Sequence, residues 1–195
     1  MKLVLASTSP RRKVLVEMLA GKLGMEYECV TPKYDEEHSS YDDPVEIVKL
    51  HSMGKAMSVA LNHPHSIVVG GDLLVVFEGT ILGKPKGKND AKRMLKMLSG
   101  RWHQVIAGIA VINTENEKKA VDVVISKVKL KNLRDAEIDE YVATGEPLDK
   151  AGAYDIAGNH GRFLIERYEG EIEAIRGLPF QRIKELINVV SDVKK

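Results

Sequence analysis

Four basic side chains, Arg11, Arg12, Lys55 and Lys84, and three acids, Glu36, Asp72 and Asp149, stand at element ends or polar edges of this sequence. Together they are the residue types that chemistry on a phosphoanhydride requires. A guanidinium grips phosphate oxygens in a bidentate fork, through charge-assisted hydrogen bonds of roughly 1.5 to 3 kcal/mol each. Carboxylates can take a proton from an attacking water or help to hold a divalent cation, and magnesium asks for only one or two of them beside phosphate oxygens and water. Asp72 is the candidate base. It follows Gly70-Gly71 inside an apolar run, a pattern that marks close backbone approach or a bulge turning the acid into a cleft. The second focus is Ser7-Thr8-Ser9-Pro10-Arg11-Arg12. There Ser9 can cap a helix through its hydroxyl and Pro10 suits the first helical position. The orphan amides of that first turn then point outward with the positive end of the dipole, beside two arginines, as an anion site would have them.

Other chemistries find less support. The six histidines form no helical pair at metal-ligand spacing, and His63 and His65 flank a proline in a loop, so no zinc is expected. Ser7 and Ser9 lack the Gly-x-Ser-x-Gly elbow, and the chain contains neither Gly-x-x-x-x-Gly-Lys-Ser/Thr nor Gly-x-Gly-x-x-Gly. A net charge of +1 disfavours binding to nucleic acid by general electrostatics. The single cysteine, Cys29, excludes an intramolecular disulfide and suits a reducing cytosol. No apolar run approaches the roughly 18 residues that span a bilayer, and the opening stretch lacks a leader's cleavage pattern, so a cytoplasmic protein without membrane contact is expected.

The elements that must carry these residues are mixed. With 195 residues, 44% of them hydrophobic and 29% charged, the chain is long enough for one ordinary globular domain spanning 1–195. A strand over Lys2–Ala6 leads to a helix over Pro10–Leu23, with Val14, Leu15, Met18 and Leu19 on its inner face. A second strand covers Glu26–Val30 and an acidic loop runs from Lys33 to Asp43, with Asp35, Glu36 and Glu37. Asp43-Pro44 opens a helix that carries Lys55 and ends near Leu61. Ser66–Phe77 reads as strand interrupted by Gly70-Gly71-Asp72, and Glu78-Gly79 turns it into a hairpin with Thr80–Gly83. A short helix follows over Asn89–Leu98, its Met94, Leu95 and Leu98 turned inward. Val105–Ile112 reads as a strand buried on both faces, and Val121–Lys131 as one with a wet face. A helix from Asp135 closes at Gly145, irregular chain runs over Glu146–Gly158, a strand covers Phe163–Arg167, and a terminal helix extends from Phe180 to about Val193. The class is α/β with a mixed sheet.

In this order and at these intervals, Leu5-Ala6-Ser7-Thr8-Ser9-Pro10-Arg11-Arg12, Asp35-Glu36, Lys55-Ala56, Gly71-Asp72, Leu82-Gly83-Lys84-Pro85, Leu98-Ser99-Gly100, Glu146-Pro147-Leu148-Asp149-Lys150-Ala151-Gly152-Ala153-Tyr154 and Gly177-Leu178-Pro179 resemble the Maf-like nucleotide pyrophosphatases, also known as septum-formation inhibitors. The resemblance spans nearly the whole chain. It implies an elongated mixed sheet flanked by helices, two lobes around a cleft, and a homodimer. It also implies cleavage of nucleoside triphosphates between the α and β phosphates, with Mg2+ or Mn2+, to clear noncanonical or modified nucleotides. By the same resemblance Asp72 accepts the proton, Ser7, Arg12, Glu36, Lys55 and Lys84 surround triphosphate and metal, and Glu36 and Asp72 are the candidate metal ligands. Arg11 and the run Asp149–Tyr154 resemble the subgroup acting on dTTP and UTP. Two positions tied to substrate choice depart from that pattern: Leu73 replaces a usual threonine and Ala157 a usual glutamine, removing two polar readers of a base edge. A second reading is a nucleotide-binding regulator of septum formation with little catalysis.

Overall fold

The structure, a computed structural model, describes residues 1–36 and 42–192. Glu37 and Val193, which the loop and terminal-helix readings include, lie outside the described residues. In chain order the elements are β1 (Lys2–Ala6), α1 (Pro10–Leu23), β2 (Tyr27–Val30), α2 (Pro44–Ala60), β3 (Ser66–Phe77), β4 (Thr80–Leu82), α3 (Lys88–Leu98), β5 (Trp102–Asn113), β6 (Lys119–Leu130), α4 (Asp135–Ala143), three 3-10 turns, β7 (Ile165–Glu169), α5 (Ile172–Ile175) and α6 (Phe180–Val190). The strands form a seven-stranded sheet in the order β2-β1-β3-β5-β6-β7, with β4 paired to β3. β1 runs parallel to β2 and β3, whereas β4 and β7 pair antiparallel to β3 and β6, so the sheet is mixed. The chain divides into two compact units: Met1–Asp72 with Ala107–Val124 and Ile172–Lys195, and Leu73–Ile106 with Ile125–Glu171.

In the first unit the strand alternation sorts side chains onto two helical layers. Leu3, Leu5, Ile67, Val69, Ile109 and Val111 pack with Leu15, Val16 and Leu19 of α1 and Ile183 and Leu186 of α6. Val4, Ala6, Val68, Ala110 and Ile112 face the other way and pack with Ala56 and Val59 of α2. The α2 layer closes tightly on the strands. A Cβ on Gly70 would sit 2.1 Å from the Ser52 carbonyl oxygen, and one on Gly108 2.3 Å from that of Val48, so these two glycines are what admit the α2 backbone. Asp43 caps α2 by accepting a hydrogen bond from the Val45 amide at 2.9 Å, and Pro44 follows it at the first helical position.

Several expectations need correction. β3 is continuous through Gly70-Gly71-Asp72, and close approach, not a bulge, accounts for Gly70. The buried face of α1 is Leu15, Val16, Leu19 and Ala20, while Val14 and Met18 are exposed. The helix offers two overlapping apolar stripes, and its contact with the sheet selects the one with small Ala20. Ser9 is the N-cap of α1, but its hydroxyl makes no capping bond; the Ser7 Oγ instead accepts from the Ser9 amide at 3.2 Å. Phe163 is exposed and belongs to a 3-10 turn over Gly161–Leu164, which delays the last strand to Ile165.

Candidate functional site

In β3, residues 68, 70 and 72 point to the α2 layer and 67, 69 and 71 to the opposite one. That alternation aims Asp72 at Lys55. The helix positions Val48, Ser52, Lys55, Ala56 and Val59 are all buried, so Lys55 occupies an inward position three residues after Ser52. Its ammonium Nζ donates to Asp72 Oδ1 at 2.7 Å, with both side chains about nine-tenths buried. Glu36, from the segment after β2, reaches the same Nζ with Oε1 at 2.8 Å and is itself 56% exposed. A single buried ammonium thus holds two carboxylates.

Arg12 approaches from the other side of β3. Its Nε–H donates to the Gly177 carbonyl at 2.9 Å. Desolvation pulls its guanidinium below its ordinary value, Asp72 and Glu36 push the other way, and Arg11 adds to the lowering. The half-buried Arg12 is therefore coupled electrostatically to the acids that Lys55 holds. Ser7 is buried at the end of β1, where its amide donates to the Val30 carbonyl at 3.0 Å. Arg11 is half-buried in the same turn. These groups lie beyond the carboxyl end of β1, which has β2 on one side and β3 on the other, the position where open α/β sheets place ligands.

Tyr34 was not among the expected residues. Its hydroxyl hydrogen-bonds His51 Nδ1 at 3.2 Å, and its ring fills the space that a Cβ on Gly54 would take, 2.1 Å away. Partial burial raises its pKa, with the charges of Glu36, Asp72 and Asp35 adding to the rise. The contact ties the segment carrying Glu36 to α2. No local pattern in the sequence signals it, because the glycine that makes room lies twenty positions away in a helix.

The remaining expected residues belong to the second unit. Leu73 is half-buried, next along β3 after Asp72. Lys84 is exposed just after β4, and the neighbouring Gly83 carbonyl accepts from the Gly152 amide at 3.1 Å, which joins the Lys84 arm to the turn over Ala151–Ala153. Tyr154 is buried and shares a hydrogen bond of 2.7 Å with His103 Nε2, where burial pushes the imidazolium down to about 4. Ala157 is exposed, and its amide donates to Asp155 Oδ1 at 3.1 Å. Asp149 is exposed and pairs with Lys150.

Residues 2–190 match the model of the Maf-like protein family. A dTTP/UTP pyrophosphatase of Dictyoglomus turgidum is 45% identical over 188 residues, covering 96% of this chain and 95% of that protein. A dTTP/UTP pyrophosphatase of Clostridioides difficile is 42% identical over 187 residues, covering 96% and 94%. Among solved structures, a HAM1 protein from Coxiella burnetii shares the fold with a TM-score of 0.50 at 15% identity, covering 97% of this chain and 99% of that one.

Proposed function

The chain belongs to the Maf family, and from that premise we propose that it is a nucleoside triphosphate pyrophosphatase. It hydrolyses the α–β phosphoanhydride to give a nucleoside monophosphate and pyrophosphate, with dTTP, UTP or modified relatives as substrates. One observation carries the reading beyond the relatives' names: the buried Lys55–Asp72 pair, with Glu36 on the same ammonium and Arg12 coupled to both acids. A binding protein has no need of a buried carboxylate presented in this way; a hydrolase needs a base.

In this scheme Asp72 accepts a proton from the attacking water. Arg12 and Lys55 counter the negative charge that develops on the phosphate oxygens as the bridging bond breaks. Lys84 takes its phosphate contact, and Ser7 its place beside the triphosphate, from the family resemblance. Arg11, Leu73 and Ala157 likewise take from it their bearing on the choice of base. Glu36 and Asp72 offer hard carboxylate oxygens that meet on one cation, the donor set that Mg2+ or Mn2+ takes beside phosphate oxygens. They would hold that metal, which when bound supplies charge neutralisation on the phosphates. The same reading carries a cytoplasmic setting and a homodimer.

The test is a panel of ordinary and modified nucleoside triphosphates, assayed for pyrophosphate with magnesium or manganese. Asp72→Asn should lower turnover by about 100- to 10,000-fold with the fold retained. Near-full activity in the folded variant would remove Asp72 as the base. Nucleotide binding with no pyrophosphate from any substrate would favour the regulator reading.

A further inference from the structure

α5 ends in a Schellman turn. The Gly177 amide donates to the Ala174 carbonyl at 2.9 Å and the Leu178 amide to the Glu173 carbonyl at 2.8 Å, with Gly177 at φ +93° and Pro179 following. Helix termination alone accounts for a glycine there. It does not account for what surrounds that glycine. The Gly177 carbonyl accepts from Arg12 Nε–H at 2.9 Å, across 165 residues of sequence. A Cβ on Gly177 would stand 3.0 Å from Arg12 Nε and 3.1 Å from Nη2, and one on Gly71 3.4 Å from the same Nε. The guanidinium therefore lies in a slot between two glycines, with one edge fixed by a backbone oxygen.

We propose that Gly177 is a positioning residue of the triphosphate clamp, fixing Arg12 so that it meets phosphate oxygens through Nη1 and Nη2. A guanidinium has five N–H donors, and the usual bidentate forks use either the Nε–Nη2 edge or the Nη1–Nη2 end. With Nε–H committed to Gly177, only the end-on fork is open. The clamp is then set before substrate arrives, so less rotamer freedom is lost on binding. An alanine at 177 moves the guanidinium out of this alignment while leaving its charge in place.

The inference rests on the reading of Arg12 as a phosphate contact, and the experiment separates the two. Binding of α,β-methylene-UTP with magnesium is measured by calorimetry, and kcat and KM with UTP, for the intact protein and four variants. Gly177→Ala should weaken analogue binding about 10-fold, the equivalent of one charge-assisted hydrogen bond, and lower kcat/KM by at least as much, because Arg12 also meets the charge that develops on the phosphates. Arg12→Ala should weaken binding by more. The double variant Arg12→Ala/Gly177→Ala should bind like Arg12→Ala alone, because no guanidinium remains to be misplaced. Gly24→Ala is the matched control, since Gly24 closes α1 with the same turn at φ +65° and has nothing within 4 Å of its Cβ position. It should lose stability and leave binding unchanged. Equal losses from Gly24→Ala and Gly177→Ala, or additive losses in the double variant, would overturn the positioning role while leaving Arg12 as a contact. An Arg12→Ala protein that binds the analogue normally would overturn both.

Discussion

Replacing Lys55 by methionine, which keeps the length of the stem and removes the charge, should cost this protein more stability than any other change at the site. Lys55 Nζ is 2.7 Å from Asp72 Oδ1 and 2.8 Å from Glu36 Oε1, but the two arms are not equal. The Glu36 side chain is 56% exposed, and solvent-screened pairs of that kind contribute about 0.2–1 kcal/mol. Asp72 is 10% exposed, and removing the contacting partner of a buried charge costs about 3–5 kcal/mol, with Arg12 left as the only nearby cation among the described residues, coupled to it without a direct contact. The buried arm dominates. Lys55→Met should therefore lose about 3–5 kcal/mol, which for a chain of this size lowers Tm by about 6–20 °C. Asp72→Asn should cost less, about 1–2 kcal/mol, since the amide oxygen still accepts from Lys55 and Glu36 still balances the ammonium. The double variant has no stranded charge, and should be less destabilised than Lys55→Met alone, with a coupling of about 2 kcal/mol or more. Urea denaturation of the four proteins at pH 7 measures all of these. A Lys55→Met protein within about 1 kcal/mol of the parent, or a double variant equal to the sum of the singles, would refute the buried-pair argument.

Two further outcomes follow from packing and burial. Gly70→Ala drives a Cβ to 2.1 Å from the Ser52 carbonyl oxygen and 2.8 Å from the Ala56 nitrogen, both backbone of α2. It should cost about 3 kcal/mol, the upper end of ordinary overpacking, and it displaces Lys55 from Asp72, so activity falls with stability. Gly21→Ala, in α1 with nothing within 4 Å, should instead gain about 0.5–1 kcal/mol, and thermal melts that show the two changes alike would contradict the close approach of α2 to β3. The pH dependence has a defined sign at His103. Its folded value of about 4 lies below the ordinary 6.5, so the unfolded chain binds the extra proton between them. Its contribution to stability is fully present above pH 6.5, is lost as pH falls toward 4, and amounts to about 3 kcal/mol. His103→Gln should flatten the stability curve by that amount across this window, and parallel curves for parent and variant would show that His103 is not buried in its neutral form.

Much of the local structure was legible because its causes are local. Asp43-Pro44 predicts the start of α2 through a cap and a fixed φ, and the apolar run Val105–Ile112 predicts a strand buried on both faces, as β5 is. The alternation ending in Val128 and Leu130 likewise predicts one wet face of β6, where Lys127 is exposed. Less legible were features set by a neighbour. The inward face of α1 depends on which of two stripes meets the sheet. The four-residue α5 is too short for periodicity to register, and it is Gly177 at its end that holds Arg12. Tyr34 finds its place only because Gly54 lacks a side chain.

The sequence by itself determined the α/β class, the family, and the residue types available for phosphate chemistry, since composition, periodicity and motif order are properties of the chain alone. Tertiary structure decided which of those residues meet. Asp72 is aimed by strand alternation, Lys55 reaches it because Gly70 admits the α2 backbone, and Glu36 joins them from a different segment. Arg12 is fixed by a carbonyl 165 residues away. Helix and strand periods state which way a side chain points, but how close two layers pack, and so which charges share a buried pair, is set only when the layers are assembled.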